Sequence, residues 1–467
     1  MKMWIVVISA LVTMLLALTG MVNAMTFYVP DDYPTISAAI DAASSGDTII
    51  VRSGTYYENI IINKRLSLIG EGSPTIDAQY KRSAVEIIAR NCVVKGFRCV
   101  NIPYREAGIK IESDGNTVEN NTIEHSNIGI LILNASGNKI LNNRFKGGRE
   151  GLRLQRSTEN KIMNNIFRNC GLHIVASYNN EVDGNIVNGK PLVYLENESN
   201  AEIKYAGQVI LVNCMRIIVR NCSISHATVG IYLRKSSNCI IENNNLLENG
   251  WGGISLWGAS KNKIVNNTCE GNDDSIHLCY SSENKVLNNK IIDNDFFGIS
   301  LYLCSRNVIS RNSICDNYFG IHLRHSPDNL IHLNDFVNNS VNIYSYNSDN
   351  IWNSTKPLTY VYRRKYKNHI GNCWSDYAGE DVNRDGIRNT FYKVDEDDYD
   401  YYPRIQPREF YFRKQEKSED EIKISTMETE RVKKPQSPQP MALLPGAYPR
   451  IGKSEDIIKS IAIEEVF

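Results

Sequence analysis

An asparagine that returns every twenty-odd residues constrains this chain more than any other feature. Aligning on N-x-[IV] places repeat starts at Asn116, Asn138, Asn160, Asn180, Arg216, Asn238, Asn262, Asn284, Asn307 and Asn329, usually 20 to 24 residues apart. Five positions after each start stands another asparagine: Asn121, Asn143, Asn165, Asn185, Asn221, Asn243, Asn267, Asn289, Asn312 and Asn334. Each repeat then offers a short β-branched run, a polar turn and a second run of the form G-I-x-L, as in GIYL, GISL and GIHL, without helical periodicity. Such a repeat fits one coil of a parallel β-helix, each coil stacking on the last at the ~4.8 Å strand spacing. The asparagines would form columns at the turns, where amides hydrogen-bond along the stack and satisfy buried backbone groups. A leucine-rich repeat has a similar period but needs LxxLxL and a helical segment in every turn, which this chain lacks. The expected fold class is all-β, a parallel β-helix solenoid.

Two departures carry information. The spacing from Asn180 to Arg216 grows to 36 residues, which leaves room for a projecting loop around residues 191 to 208. Ahead of the repeats, YPTISAAIDAASSGD has helical spacing, with Ile36, Ala39, Ile40 and Ala43 on one face. That segment is expected to cap the open end of the solenoid, where a bare strand edge would invite aggregation.

Lys plus Arg and Asp plus Glu both total 52, and no basic run is interleaved with aromatics, so nucleic acid is not an expected partner. Residues 1–24 read as a signal peptide: Lys2, an apolar core shorter than the ~20 residues of a spanning helix, then small residues at Val22 and Ala24. No later segment has spanning length, and the chain is expected to be exported, to the cell surface, the extracellular space or a periplasm-like space. Eleven cysteines without CxxC pairs argue against a metal finger. Most of them, such as Cys222, Cys269 and Cys315, fall at inward repeat positions as small hydrophobes, and the spacing assigns no disulfide pairing. The β-helix is expected over 25–352, a C-terminal cap over 353–412, and a disordered tail, rich in mixed charge and containing QSPQP, over 413–467.

The opening TFYVPDDYPTISAAIDAASSGDTIIVRSGTYYENIIINKRLSLIGEG resembles the N-terminal cap and first coil of pectin-lyase-like right-handed β-helix proteins. The repeats, with KPLVYLENES and GQVILVNC, are similar to the NosD family of exported β-helix proteins, its archaeal cell-surface members especially, as is GNCWSDYAGEDVNRDGIRNTFY near the end. The resemblance covers roughly residues 26 to 403 and implies a right-handed coil and a carbohydrate-binding or sugar-hydrolase type of protein. For bacterial NosD proper it implies copper-site maturation. That role is not expected here, because Met163 and Met215 are isolated and the histidines scattered, whereas copper carriers use closely spaced Met or His ligands.

In G-I-x-L strands Ile and Leu point inward, so x and the residue two later form outward columns. The first column reads Arg153, His173, Tyr232, Ser255, His277, Ser300, His322 and Tyr344; the second reads Gln155, Val175, Arg234, Trp257, Cys279, Tyr302, Arg324 and Tyr346. Aromatic faces stack on sugar rings, and Arg and His hydrogen-bond hydroxyls or carboxylates. Tyr232, Arg234, Trp257, Tyr302, His322, Arg324, Tyr344 and Tyr346 are therefore candidate ligand-binding residues for a polysaccharide or surface glycan. High strand propensity of aromatics is the plainer account of the same columns.

Asp273 and Asp274 replace aromatics at the head of the His277 strand, and Asp295 in the next coil is offset by about one position. Asp273, Asp274, Asp295 and His277 are the candidate catalytic set of a glycoside hydrolase or polysaccharide lyase, since glycosidase acid pairs stand roughly 5 to 10 Å apart. The Asp-Asp pair resembles one in polygalacturonase-type β-helix hydrolases, although their Gly-His-Gly and Arg-Ile-Lys elements are missing from matching places. A solvated turn and a purely structural rod are the competing readings. In DVNRDGIRN, Asp381, Asn383, Asp385, the Ile387 carbonyl and Asn389 match the first ligands of a calcium loop, with Gly386 at the turn. Tyr392 stands where the final glutamate belongs, so the last ligand would come from Asp395, Glu396, Asp397 or Asp398. Seven N-x-[ST] sequons are scattered along the chain, one of them at Asn221 in the expected ladder.

Overall fold

The structure is a computed structural model in which residues 24–412 are described. The expected leader up to residue 23 and the expected tail at 413–467 lie outside the described residues. The chain folds into a right-handed parallel β-helix of stacked coils, and it divides into two compact units between Val187 and Asn188.

In the first unit the expected cap is present as a helix, Ile36–Ala42, with Thr35 accepting a hydrogen bond from the Ala38 amide. Ile36, Ala39, Ile40 and Ala43 are buried, the face that the spacing predicts. Glu58 accepts from the Ile36 and Ser37 amides at 2.9 Å each, satisfying donors that the first helical turn leaves open. Behind the cap run three parallel sheets. One contains Thr117–Glu119, Lys139–Leu141 and Lys161–Met163, a second contains Thr122–Glu124, Arg144–Lys146 and Ile166–Arg168, and a third contains Ile128–Leu133, Glu150–Gln155 and Leu172–Val175.

The second unit repeats this plan. Its sheet of long strands comprises Lys190–Glu196, Gln208–Val212, Val229–Arg234, Gly252–Trp257, Asp274–Cys279, Phe297–Tyr302, Phe319–Arg324 and Val341–Tyr346. Two sheets of short strands close each coil. Residues 191 to 208 are not the projecting loop that the 36-residue spacing suggests. Leu192 pairs with Gln208 and Glu196 with Val212 in the long-strand sheet, while Glu202 and Ile203 pair with Ile218 and Val219. The segment is a shortened coil with two strands, and Leu192 and Ile203 bury its apolar side chains.

The amide columns exist, with one change of register. Asn262, Asn284, Asn307 and Asn329 form one column and Asn267, Asn289, Asn312 and Asn334 another; each donates backbone N–H and Nδ2 to the next Oδ1 at 2.8 to 3.1 Å. In the two coils before these, the inward residues are Cys222, Cys239 and Asn244, whose amides donate to Asn244, Asn262 and Asn267. Asn221, Asn238 and Asn243 are instead exposed at left-handed corners, with φ of 55°, 56° and 54°. Asparagine tolerates that backbone better than most residues, so in a doublet the first member takes the corner and the second turns in. A third column, unmarked in the repeat alignment, runs Asn249, Asn272, Asn294, Asn317 and Asn339. Each such bond contributes about 1 kcal/mol net, and removing one leaves a buried group unpaired, which costs more.

All eleven cysteines are free and ten are buried, so no disulfide contributes to the described residues. Burial pushes the Cys99, Cys170, Cys269 and Cys304 thiols up to about 12, which keeps them protonated as packing groups.

The solenoid continues past 352. A hairpin of Leu358–Tyr362 and Arg364–Asn368 departs from it, and the chain then returns so that Cys373 and Trp374 pair with Asp335 and Phe336. The Arg404 guanidinium, fully buried, donates to Asp335 at 2.7 Å and to the Asn334 carbonyl at 2.9 Å, tying the cap to that coil.

Candidate functional site

The two outward columns are real in the second unit. Tyr232, Ser255, His277, Ser300, His322 and Tyr344 are successive register partners, as are Arg234, Trp257, Cys279, Tyr302, Arg324 and Tyr346. In the first unit Arg153 pairs with His173 and Gln155 with Val175.

Exposure divides the columns unevenly. Tyr232 and Arg234 are buried, at 4% and 8% exposure, so the face does not begin where the residue pattern places it. Trp257 and Tyr302 are half-buried, Arg324 is exposed, and Tyr344 and Tyr346 are 44% and 49% exposed. Tyr280, unmarked in the columns, joins them. It follows the Asp274–Cys279 strand at a left-handed corner, with φ 49°, and its ring lies 5.8 Å from Trp257 and 6.0 Å from Tyr302. The Arg324 guanidinium stands 5.8 Å over the Tyr302 ring. Beside this row runs a stack of Phe297, His322 and Tyr344, with centroid separations of 4.5 and 5.0 Å. The signal for Tyr280 is a lone aromatic at a position where neighbouring coils carry Lys235, Gly258, Leu303 and His325.

The acids lie close in the register. Asp274 pairs with Gly252 on one side and Phe297 on the other, as the pattern requires. The amide of Phe296 donates to the Asp273 carbonyl and that of Asp295 to the Asn272 carbonyl, both at 2.9 Å, so Asp295 sits one residue ahead of the position beside Asp273. Asp274 is buried, Asp273 half-buried and Asp295 exposed. His277 Nδ1 is 3.8 Å from Asp274 Oδ2, beyond hydrogen-bond length. Burial pushes both His277 and His322 down to about 4, so each ring is neutral at pH 7. Among the described residues no group of three or more His, Cys, Asp or Glu is placed to hold a metal ion.

The loop at 381–389 folds on its own side chains. Asp381 accepts from the amides of Asp385 and Gly386 at 3.0 and 2.9 Å, and the Asp385 amide also lies 3.3 Å from Asn383 Oδ1, so Asp381, Asn383 and Asp385 converge. Gly386 has φ 90°, which a side chain would strain. Asn389 Oδ1 accepts from the Val382 amide at 2.6 Å and closes the loop, next to Ile387. Asp398 does not turn towards this loop: it accepts from Trp352 Nε1 at 2.9 Å and the Asn350 amide at 2.8 Å.

Residues 188–379 match the family model described as periplasmic copper-binding protein (NosD), and residues 46–206 match that of the right-handed β-helix region. A cell surface glycoprotein of Methanothermus fervidus is 31% identical over 129 residues, 27% of this chain, and the chain spans about a fifth of that relative's length, 21%. Similar solved structures include the Dettilon tailspike protein, 16% identical over 68% of each chain with TM-score 0.34, and an alginate lyase complex, AlyF-OU02, 13% identical over 75% of this chain and 92% of that one with TM-score 0.34. Among the described residues no helix is long and apolar enough to cross a membrane.

Proposed function

We propose that this chain is an exported β-helix protein that binds an extended polysaccharide or cell-surface glycan along the outward face of its second unit. The observation that carries the reading is the continuous, solvent-accessible row of Trp257, Tyr280 and Tyr302 with Arg324 over the last ring, flanked by Tyr344 and Tyr346. One ring per coil, inclined by 58° between Trp257 and Tyr280 and by 89° between Tyr280 and Tyr302, offers successive sugar units alternating faces and edges, and a guanidinium at the end of the row suits hydroxyls or carboxylates. The periplasmic description of one matching family and the cell-surface description of the Methanothermus relative support export. Retention of the purified protein on immobilised polysaccharides, with reducing-end release assayed in the same samples, tests the reading. Retention without release supports a binding face. Release abolished by Asp274→Asn would make the protein a glycoside hydrolase or lyase using Asp273, Asp274 and Asp295 with His277, and neither result would leave a structural rod.

Two metal readings accompany this one. Convergence of Asp381, Asn383 and Asp385 around one loop supports a structural calcium ion there, with the Ile387 carbonyl as a further ligand. Calorimetric titration with calcium checks it, and no heat from the wild type would sink it. The description of the family matching residues 188–379 favours copper delivery as an alternative, which predicts stoichiometric copper in the purified protein.

A further inference from the structure

Six of the seven sequon asparagines share one backbone geometry. Asn120, Asn134, Asn197, Asn221, Asn266 and Asn338 are all exposed, and all stand at solenoid corners with φ between 50° and 60°. The seventh, Asn353, is half-buried off these corners and donates its Nδ2 to the Ser354 carbonyl at 3.2 Å. Asparagine at a left-handed corner has a structural reason of its own. The hydroxyl two positions after Asn134 and Asn197 has one too, since serine recurs at that corner as Ser237, Ser260, Ser282 and Ser305 in coils without a sequon and bonds along the stack; the hydroxyl at the corner between the two short-strand sheets does not. At the corner between the two short-strand sheets, that position is Thr122, Ser223 and Thr268 after Asn120, Asn221 and Asn266. After the equivalent Asn142, Asn164, Asn243 and Asn288 it is Arg144, Ile166, Asn245 and Lys290. The fold therefore accepts a wide choice there, and the hydroxyls are not imposed by strand geometry.

We infer that these corner asparagines are acceptors for N-linked glycans, a reading that rests on export. Their side chains leave the coil where the next residue turns into the core, as Cys222 and Asn267 do after Asn221 and Asn266. A glycan at such a corner displaces no packed group. Asn134, Asn221, Asn266 and Asn338 make no side-chain hydrogen bond among the described residues, so the amide is spent on nothing else. In the transfer, the amide nitrogen bonds to the anomeric carbon of an oligosaccharide carried as a lipid-linked glycosyl phosphate. The anomeric C–O bond breaks, the phosphate leaves with its electron pair, and the amide proton passes to a base of the transferase. Asn221 and Asn266 lie between the short-strand sheets, so glycans there leave the row of Trp257, Tyr280 and Tyr302 uncovered.

Glycopeptide mass spectrometry on the full chain from the cells that make it is the test, beside Ser223→Ala and Thr268→Ala, which break the sequons of Asn221 and Asn266 but leave the corner asparagines in place. The expected result is glycan at corner sites, lost at Asn221 alone in the first variant and at Asn266 alone in the second, with Asn353 unmodified. Surface protein with no glycan at any of the six, or with Asn353 occupied as fully as the corners, overturns the inference. A protease-accessibility assay on whole cells separates that failure from a failure of export, which would overturn both readings.

Discussion

Asp400 accepts a hydrogen bond from the backbone amide of Asn372 at 2.7 Å, so the second amide column of the solenoid ends on a carboxylate. Asn372 itself receives the amide and Nδ2 of Asn334, both at 3.0 Å, and thereby extends the column across the hairpin. Asp400 also takes Trp374 Nε1 at 3.0 Å and the Tyr402 amide at 3.1 Å. Asp398 ends the first column in the same way, at Asn350 and Trp352. A stack of amides always leaves its last donors open, and an acid carried in by the cap satisfies them without another coil.

Burial raises the Asp400 carboxyl to about 6 despite these donors. Between the ordinary carboxylate range and about pH 6 the folded state therefore holds a proton that the unfolded state has released. The contribution of this group to stability is greatest at the acid end and is lost as pH rises through 6. Unfolding of the cap, followed through Trp352 and Trp374 fluorescence, should show wild type losing stability relative to Asp400→Asn between about pH 4 and pH 6, a window of about two pH units. Parallel pH profiles for the two proteins would refute the assignment.

His322 should behave oppositely. Its ring is held down to about 4 by burial between Phe297 and Tyr344, so the unfolded state takes up a proton at a pH where the folded state does not. Its contribution is present above the unfolded value near 6.5 and is lost as pH falls towards 4. His322→Phe is expected to be less acid-sensitive than wild type over that interval, as read by denaturant midpoints at pH 7 and pH 4.5. An unchanged difference between the two midpoints would contradict it.

The NN doublets predict different fates for adjacent residues. Asn289 is buried and bonds to Asn312 and to the Ile264 carbonyl, while Asn288 is a half-buried corner with φ 54°. Asn289→Ala should cost about 3 kcal/mol by leaving buried groups unpaired. Asn288→Gly should be close to neutral, since glycine accepts the same backbone. Equal losses for both in urea unfolding would mean that the register is wrong.

On the binding face, exposure makes the distinction. Tyr280→Ala and Tyr302→Ala should each weaken glycan affinity about tenfold, or about 1.4 kcal/mol, without changing the fold. Tyr232→Ala, which empties a buried position, should lower thermal stability and leave the affinity of the folded protein unchanged. Titration calorimetry with the retained polysaccharide checks all three, and a loss at Tyr232 equal to that at Tyr302 would move the site towards the amino-terminal coils of the second unit.

Much of the architecture is written locally. The recurrence of Asn with G-I-x-L specified a parallel solenoid, the inward Ile and Leu and the outward columns, because coils at a common spacing must repeat the same inward and outward choice. The helical spacing of Ile36, Ala39 and Ile40 likewise named the face that the cap buries. What tertiary structure decided was which neighbour each side chain meets. In Asn243-Asn244 both residues satisfy the repeat by letter, and only the stacking of Asn244 on Asn267 shows which one turns inward. Residues 191 to 208 looked like surplus length until their strands paired with the coil that follows. Tyr232 and Tyr344 occupy the same outward column, yet one is buried and the other exposed, because exposure depends on everything packed around a column and not on the pattern within a strand.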